Sequence, residues 1–165
     1  MVNKELVIAV DNSEECLKAL DFAIEHFPNG YTFHLLHIQP RLHAPSSAAE
    51  KEMIAATKKF LEDAFVSKAK SADTEAIGEV VEINGDSSKQ IGEAICEHAE
   101  KVKADTLVLM RQNKSTVTRF FLGSVTRYCA VHSPTPVAIV PNTSSGWNVT
   151  IGGCKHSTVC LVRTT

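Results

Sequence analysis

Between residues 4 and 141 the chain alternates short, unbroken apolar runs with longer segments whose apolar positions recur every three or four residues. The first run, Leu6-Val7-Ile8-Ala9-Val10, stops at Asp11-Asn12-Ser13. A continuous run predicts a strand covered on both faces, as in a parallel sheet. Leu17, Leu20, Ile24 and Phe27 then fall at helical spacing. Ser13 is the expected N-cap of that helix, Glu14 and Glu15 suit its positive end, and Pro28-Asn29-Gly30 stops it.

The same alternation continues. Tyr31 to Ile38 reads as a second strand and Gln39 to Pro45 as a loop. Ser47 and Glu50 have capping-box spacing ahead of a helix carrying Met53, Thr57, Phe60, Leu61, Ala64 and Phe65 on one face. Ala76 to Ile83, where Ile77, Val81 and Ile83 alternate with Glu79 and Glu82, suits an edge strand with one wetter face. After the Asn84-Gly85-Asp86 turn, Ser87 and Gln90 form a second capping box. The helix behind it carries Ile91, Ala94, Ile95, Ala99 and Val102. A buried strand at Thr106–Met110, a polar segment from Arg111 to Arg119, a helix from Ser124 to His132 and a final strand, Val137–Val140, complete the series. Strands alternating with helices predict a mostly parallel sheet with helices on both faces. Residues 1–141 therefore read as one domain. Residues 142–165 lose periodicity and read as a C-terminal tail, disordered or laid over the sheet edge, in which Val159–Val162 could add a short strand.

Composition removes several function classes. At 165 residues, with 44% hydrophobic and 22% charged residues, the chain can build one ordinary core. A formal net charge of -2 offers no basic face for nucleic acid. No apolar run approaches the roughly 20 residues needed to cross a bilayer. The first residues enter a strand pattern at once, without a secretory segment, so a cytoplasmic location is expected. Cys16, Cys96 and Cys129 fall in predicted helices and are expected to be buried, reduced thiols.

Candidate chemistry concentrates between Asp105 and Pro141. A strand, a polar loop, Gly123-Ser124 at a helix start and a closing strand together can hold a phosphate. The histidines suggest no catalytic group. His34 and His37 are three apart in one strand, hence on opposite faces, while His98 and His132 are expected to be packed or surface residues. Cys154, His156 and Cys160 lack a fourth ligand and a familiar zinc spacing. No nucleophile, base and orienting group can be assembled from local spacing, and no enzyme activity is expected.

Three places resemble the universal stress protein family. Ile8-Ala9-Val10-Asp11-Asn12-Ser13 is similar to its opening strand ending in V-D-x-S. Gly85-Asp86 matches the turn before its third helix. Phe121-Leu122-Gly123-Ser124-Val125, with Tyr128-Cys129-Ala130 and Pro136-Val137-Ala138-Ile139-Val140-Pro141, is similar to its L-G-S-V, helix and P-V-x-V-V ending. The resemblance spans residues 4–141.

It implies a flavodoxin-like, adenine nucleotide alpha hydrolase-like sandwich: a five-stranded parallel sheet of order 3-2-1-4-5 between helical layers. Ligands in such sheets bind outside the carboxyl ends of the strands where chain direction reverses. Nucleotide-binding members carry G-x2-G-x9-G-[ST] after the fourth strand, of which Gly123-Ser124 survives here. Met110 and Asn113 stand at the earlier glycine positions if the alignment is anchored on Gly123, and Arg111 and Lys114 if it is anchored on Met110. The resemblance thus implies a non-catalytic regulatory protein binding ATP or AMP, with magnesium as an accompanying ion. Its site would comprise Asp11, Asn12, Ile38, Met110, Arg111, Asn113, Lys114, Gly123, Ser124 and Val125. Ser124 would also be the helix N-cap. The alternative is a member that has lost the nucleotide and acts as an interaction or chaperone-like module. In either case the family implies a homodimer paired through Val137, Ala138, Ile139 and Val140 of the last strand.

Overall fold

The computed structural model describes residues 4–11, 13, 15–27, 30–41, 47–111, 123–141, 148–151 and 159–163. In chain order the elements are β1 (Lys4–Ala9), α1 (Cys16–His26), β2 (Tyr31–Pro40) and α2 (Ser47–Phe60), which runs through a π-helical turn (Leu61–Val66) into α3 (Ser67–Ser71). Then come β3 (Glu75–Ile83), α4 (Ser88–Lys101), β4 (Thr106–Met110), α5 (Ser124–His132), β5 (Val137–Val140), β6 (Asn148–Ile151) and β7 (Val159–Arg163). Strands β3-β2-β1-β4-β5 are parallel in that order, as expected.

The unbroken apolar runs are explained by burial on both sides. Leu6, Ile8 and Val10 join Phe33, Leu35, Val108 and Met110 in a layer under α1 and the π-helical turn. Val7, Leu36, Ile38, Leu107 and Leu109 face the other way, under α4 and α5. Each fully buried Leu or Ile contributes roughly 1.5–3 kcal/mol, so these strands dominate the stability of the fold. Cys16, Cys96 and Cys129 are buried free thiols, as expected. No helix among the described residues is long and apolar enough to cross a membrane.

Four local expectations are corrected. Ser13 does not cap α1. The helix begins at Cys16, and the Ser13 hydroxyl is turned to Asp11 instead. Phe60, expected on the buried stripe of α2, is 37% exposed, because the π-helical turn shifts the phase and buries Leu61, Phe65 and Val66. That turn lies close over Gly78 of β3, where an added Cβ would stand 3.4 Å from both Leu61 Cβ and Val66 Cγ2. In β3, Glu79 does not alternate with the apolar residues. It shares their parity, and the register seats it beside Leu36 on the face under α4.

The fourth correction concerns the sheet edge. β3 is an edge strand, as expected, but β5 is not. β7 pairs with it in parallel, Val137 opposite Val159 and Ile139 opposite Leu161, and β6 adds antiparallel to β7. The backbone groups through which Val137, Ala138, Ile139 and Val140 were expected to pair with a second subunit are bonded to the chain's own tail.

Candidate functional site

β1 and β4 lie side by side in parallel, yet the chain leaves them in opposite directions, through α1 to β2 and through α5 to β5. Such divergence opens a crevice outside the carboxyl ends of the two strands. Asp11 stands just past the end of β1. Its Oδ1 accepts from the Ser13 backbone N–H at 2.8 Å, from the Ser13 hydroxyl, and from the Cys16 thiol at 3.2 Å. An Asp in this position orders the turn through its own side chain. Burial, foremost, pushes the Cys16 thiol up to about 12, so it remains a protonated donor near neutral pH. On the neighbouring strand, His37 Nδ1 lies 3.0 Å from the Val10 carbonyl oxygen.

The opposite wall begins where β4 ends. Met110 packs its side chain in the core, and Arg111 extends the ladder by donating its backbone N–H to Val140 at 2.8 Å. The buried Thr126 hydroxyl donates to the Met110 carbonyl at 3.4 Å and so fastens the first turn of α5 to the end of β4. Gly123, and not Ser124, is the N-cap of α5, with φ -54° and ψ 151°. Its carbonyl accepts from the Arg127 N–H at 2.9 Å, the first bond of the helix. Ser124, one residue inside, donates its hydroxyl to Ser88 Oγ at 2.6 Å and ties the starts of α5 and α4 together. Two helix N-termini, each with partial positive charge, therefore meet at one place.

Gly123 is unusual in what does not constrain it. Its φ is open to any residue, and among the described residues an added Cβ would meet only Thr126 Oγ1, at 3.9 Å. Among the described residues, neither backbone strain nor packing requires a glycine there. By contrast Gly85 has φ +114°, and a Cβ added at Gly92 would stand 2.6 Å from Tyr128 Cδ1, so both are fixed by the fold.

Of the residues singled out in the sequence, Asp11, Met110, Arg111, Gly123 and Ser124 fall where β1 and β4 end or α5 begins. Val125 is half-buried against the layer that contains Ile38, which is buried within β2. Asn12, Asn113 and Lys114 lie outside the described residues. Sequence reasoning missed Cys16, Ser88 and Thr126. A Thr three residues after the cap glycine, on the helix face that meets the strand end, was the available signal for the last.

A model of the universal stress protein family matches residues 3–141. The chain belongs to that family. A universal stress protein from Archaeoglobus fulgidus in complex with dAMP has a TM-score of 0.62 and 24% identity, covering 84% of this chain and 98% of that one. An Arabidopsis thaliana family protein with AMP bound gives 0.59 and 20%, covering 86% and 93%. A universal stress protein in complex with cAMP gives 0.59 and 24%, covering 87% and 100%. At these identities the likeness establishes the fold. No curated protein matches the sequence significantly. Relative to the universal stress protein pattern, Met110 is a core strand residue, so of the earlier glycine positions the one it would fill under the Gly123 anchoring presents only backbone to the crevice.

Proposed function

We propose that this universal stress protein is a non-catalytic regulatory protein that binds an adenine nucleotide, ATP or AMP, in the crevice between β1 and β4. The observation that carries the reading is the backbone at Gly123: a glycine that neither φ nor packing among the described residues demands, at the meeting point of two helix starts. Bare backbone there lets a phosphate approach the N–H groups of Ser124 and Val125, where the helix dipole favours an anion. Arg111, Asn113 and Lys114 supply the polar lining beyond β4, with charge-assisted bonds from the two cations in place of glycine backbone contacts. Ile38 gives the adenine an apolar wall. Asp11 and Asn12 face the ribose or a magnesium ion. Asp11 Oδ1 is already engaged by Ser13 and Cys16, so magnesium suits the site only when phosphate oxygens and water complete its shell. Structures of similar fold carrying AMP, dAMP and cAMP support the choice of an adenine nucleotide.

A second reading, an interaction or chaperone-like module without nucleotide, is favoured by the non-glycine residue, Asn113 or Lys114, at the second early glycine position of the motif. A homodimer through Val137, Ala138, Ile139 and Val140 requires β7 to leave β5, so it belongs to a form with a displaced tail. Denaturing protein purified from cells and chromatographing the supernatant separates the two readings. Released ATP or AMP near one per chain supports the first, and its absence together with failure to rebind added nucleotide supports the second.

A further inference from the structure

A second cluster lies on the sheet face under α4, in the middle of β2 and β3. His34 of β2 and His98 of α4 are 9% and 7% exposed. His34 Nδ1 lies 2.7 Å and His98 Nε2 2.9 Å from the same oxygen, Glu79 Oε2. One ligand atom from each of the three residues falls within a 4.8 Å span. On its far side, His34 Nε2 is 2.8 Å from Glu5 Oε2. The Glu5 backbone is itself held, its N–H donating to Asp105 Oδ2 at 2.9 Å and its carbonyl accepting from the Asp105 N–H at 2.7 Å.

We propose that His34 Nδ1, Glu79 Oε2 and His98 Nε2 bind a divalent transition-metal ion, Zn2+ in the first instance. Two imidazoles and one carboxylate form a borderline-soft donor set suited to zinc, and three protein ligands leave a position for water. Glu5 is a positioning residue. A carboxylate on the second nitrogen of a ligating imidazole fixes its tautomer and orientation. Ionised carboxylate oxygens only accept, so in the ion-free cluster His34 donates from both nitrogens, Nδ1 to Glu79 and Nε2 to Glu5, and His98 Nε2 donates to Glu79. The metal takes the place of the hydrogens on Glu79: His34 gives up its Nδ1 proton and keeps Nε2–H on Glu5, and His98 binds as the neutral imidazole with its remaining hydrogen on Nδ1. Tetrahedral ligands on zinc stand about 3.3 Å apart, so each nitrogen draws back from Glu79 Oε2 by about half an ångström while the three ligand atoms close up from their 4.8 Å span. Glu79, at 29% side-chain exposure, is the open side through which an ion and its water enter. Because the three ligands come from β2, β3 and α4, the ion clamps the edge strand to the helix over it.

The site is independent of the nucleotide crevice. Its ligands His34 and Glu79 stand in register with Val7 and Ala9, below the end of β1 and on the face under α4, whereas the crevice lies beyond the strand ends.

The test uses the full chain stripped with a chelator, titrated with Zn2+ against a chromophoric competitor and, separately, with Co2+ by visible absorption. The expected result is one Zn2+ per chain, a Co2+ spectrum of low coordination number, and a raised melting temperature with Zn2+. Glu79→Gln and His98→Ala should each lose at least tenfold in affinity, and Glu5→Ala should lose about 10–100-fold as expected for an orienting partner. His132→Ala, on the exposed end of α5, should bind as the parent does. Circular dichroism confirms that each variant is folded. Absence of stoichiometric Zn2+ binding, or binding unchanged in both folded variants Glu79→Gln and His98→Ala, overturns the assignment.

Discussion

The Thr126 hydroxyl reaches the Met110 carbonyl oxygen across 3.4 Å in a buried setting. This one bond ties the helix start that would receive a phosphate to the end of the central strand beside β1. It sets where the N–H groups of α5 point. Thr126→Val keeps the shape and leaves the Met110 carbonyl without that donor, costing about 1–3 kcal/mol. Denaturant titration should show the loss, and nucleotide affinity should fall with it because the helix start is no longer held in register.

Gly92 of α4 packs against the Tyr128 side chain of α5. A Cβ on Gly92 would lie 2.6 Å from Tyr128 Cδ1 and 3.1 Å from its Cβ, which a side-chain rotation alone does not relieve. Gly92→Ala should therefore destabilise by about 1–3 kcal/mol despite the better helix propensity of alanine. Ala at the exposed Lys89 position should be near neutral by comparison. Thermal melts of the two variants side by side check the contrast.

Glu79 makes stability depend on acidity. Burial by itself raises its carboxyl pKa, but hydrogen bonds from His34 and His98 outweigh this and hold it below its ordinary value of 4.5. A depressed folded pKa contributes stability that is fully present above the unfolded value and is lost as pH falls through the folded one. Glu79→Gln should thus be less stable than the parent at pH 7, by roughly 1–3 kcal/mol. The gap should narrow as pH drops below 4.5. Denaturation midpoints between pH 3 and 7, measured in chelator, test this. A gap constant with pH contradicts the role given to the Glu79 charge.

The tail closes an edge that would otherwise pair. An apolar edge strand is a template for another chain, and β7 occupies the outer side of β5. Light scattering should report the full chain as a monomer. Truncation after Pro141 should give a dimer, or a higher oligomer, through the exposed Val137–Val140. Adding Ile139→Arg to the truncated chain should restore the monomer. A truncated chain that stays monomeric contradicts the covering role of β7.

Much of the fold was legible because burial on both faces writes unbroken apolar runs, and those runs marked β1, β2, β4 and β5 directly. The helix starts at Ser87 and Gly123-Ser124 were legible from cap chemistry. The finer assignment of Gly123 as cap was not, since glycine and serine both serve there. Ser13 misled because a hydroxyl that can cap a helix can equally bond the Asp11 carboxylate beside it. Glu79 was misplaced because a strand register is set by its neighbour, and nothing within β3 shows that Leu36 lies opposite. Its signal was parity: a carboxylate in step with Ile77, Val81 and Ile83. With that parity read correctly, its meeting with His34 and His98 still depends on a crossing of β2, β3 and α4 that no local spacing records. The pairing of β7 on β5 was open for the same reason.

Calorimetric titration with ATP and magnesium, and with AMP, of stripped parent protein beside Gly123→Val tests the central claim most directly. The variant should lose about 1 kcal/mol of stability, because valine is a poorer N-cap than glycine, and remain folded. The parent should give a saturable, one-to-one heat, and the variant should bind at least tenfold more weakly because its side chain fills the space beside the helix start. No heat from the parent at millimolar nucleotide, or equal affinity in both proteins, would contradict a phosphate site at Gly123.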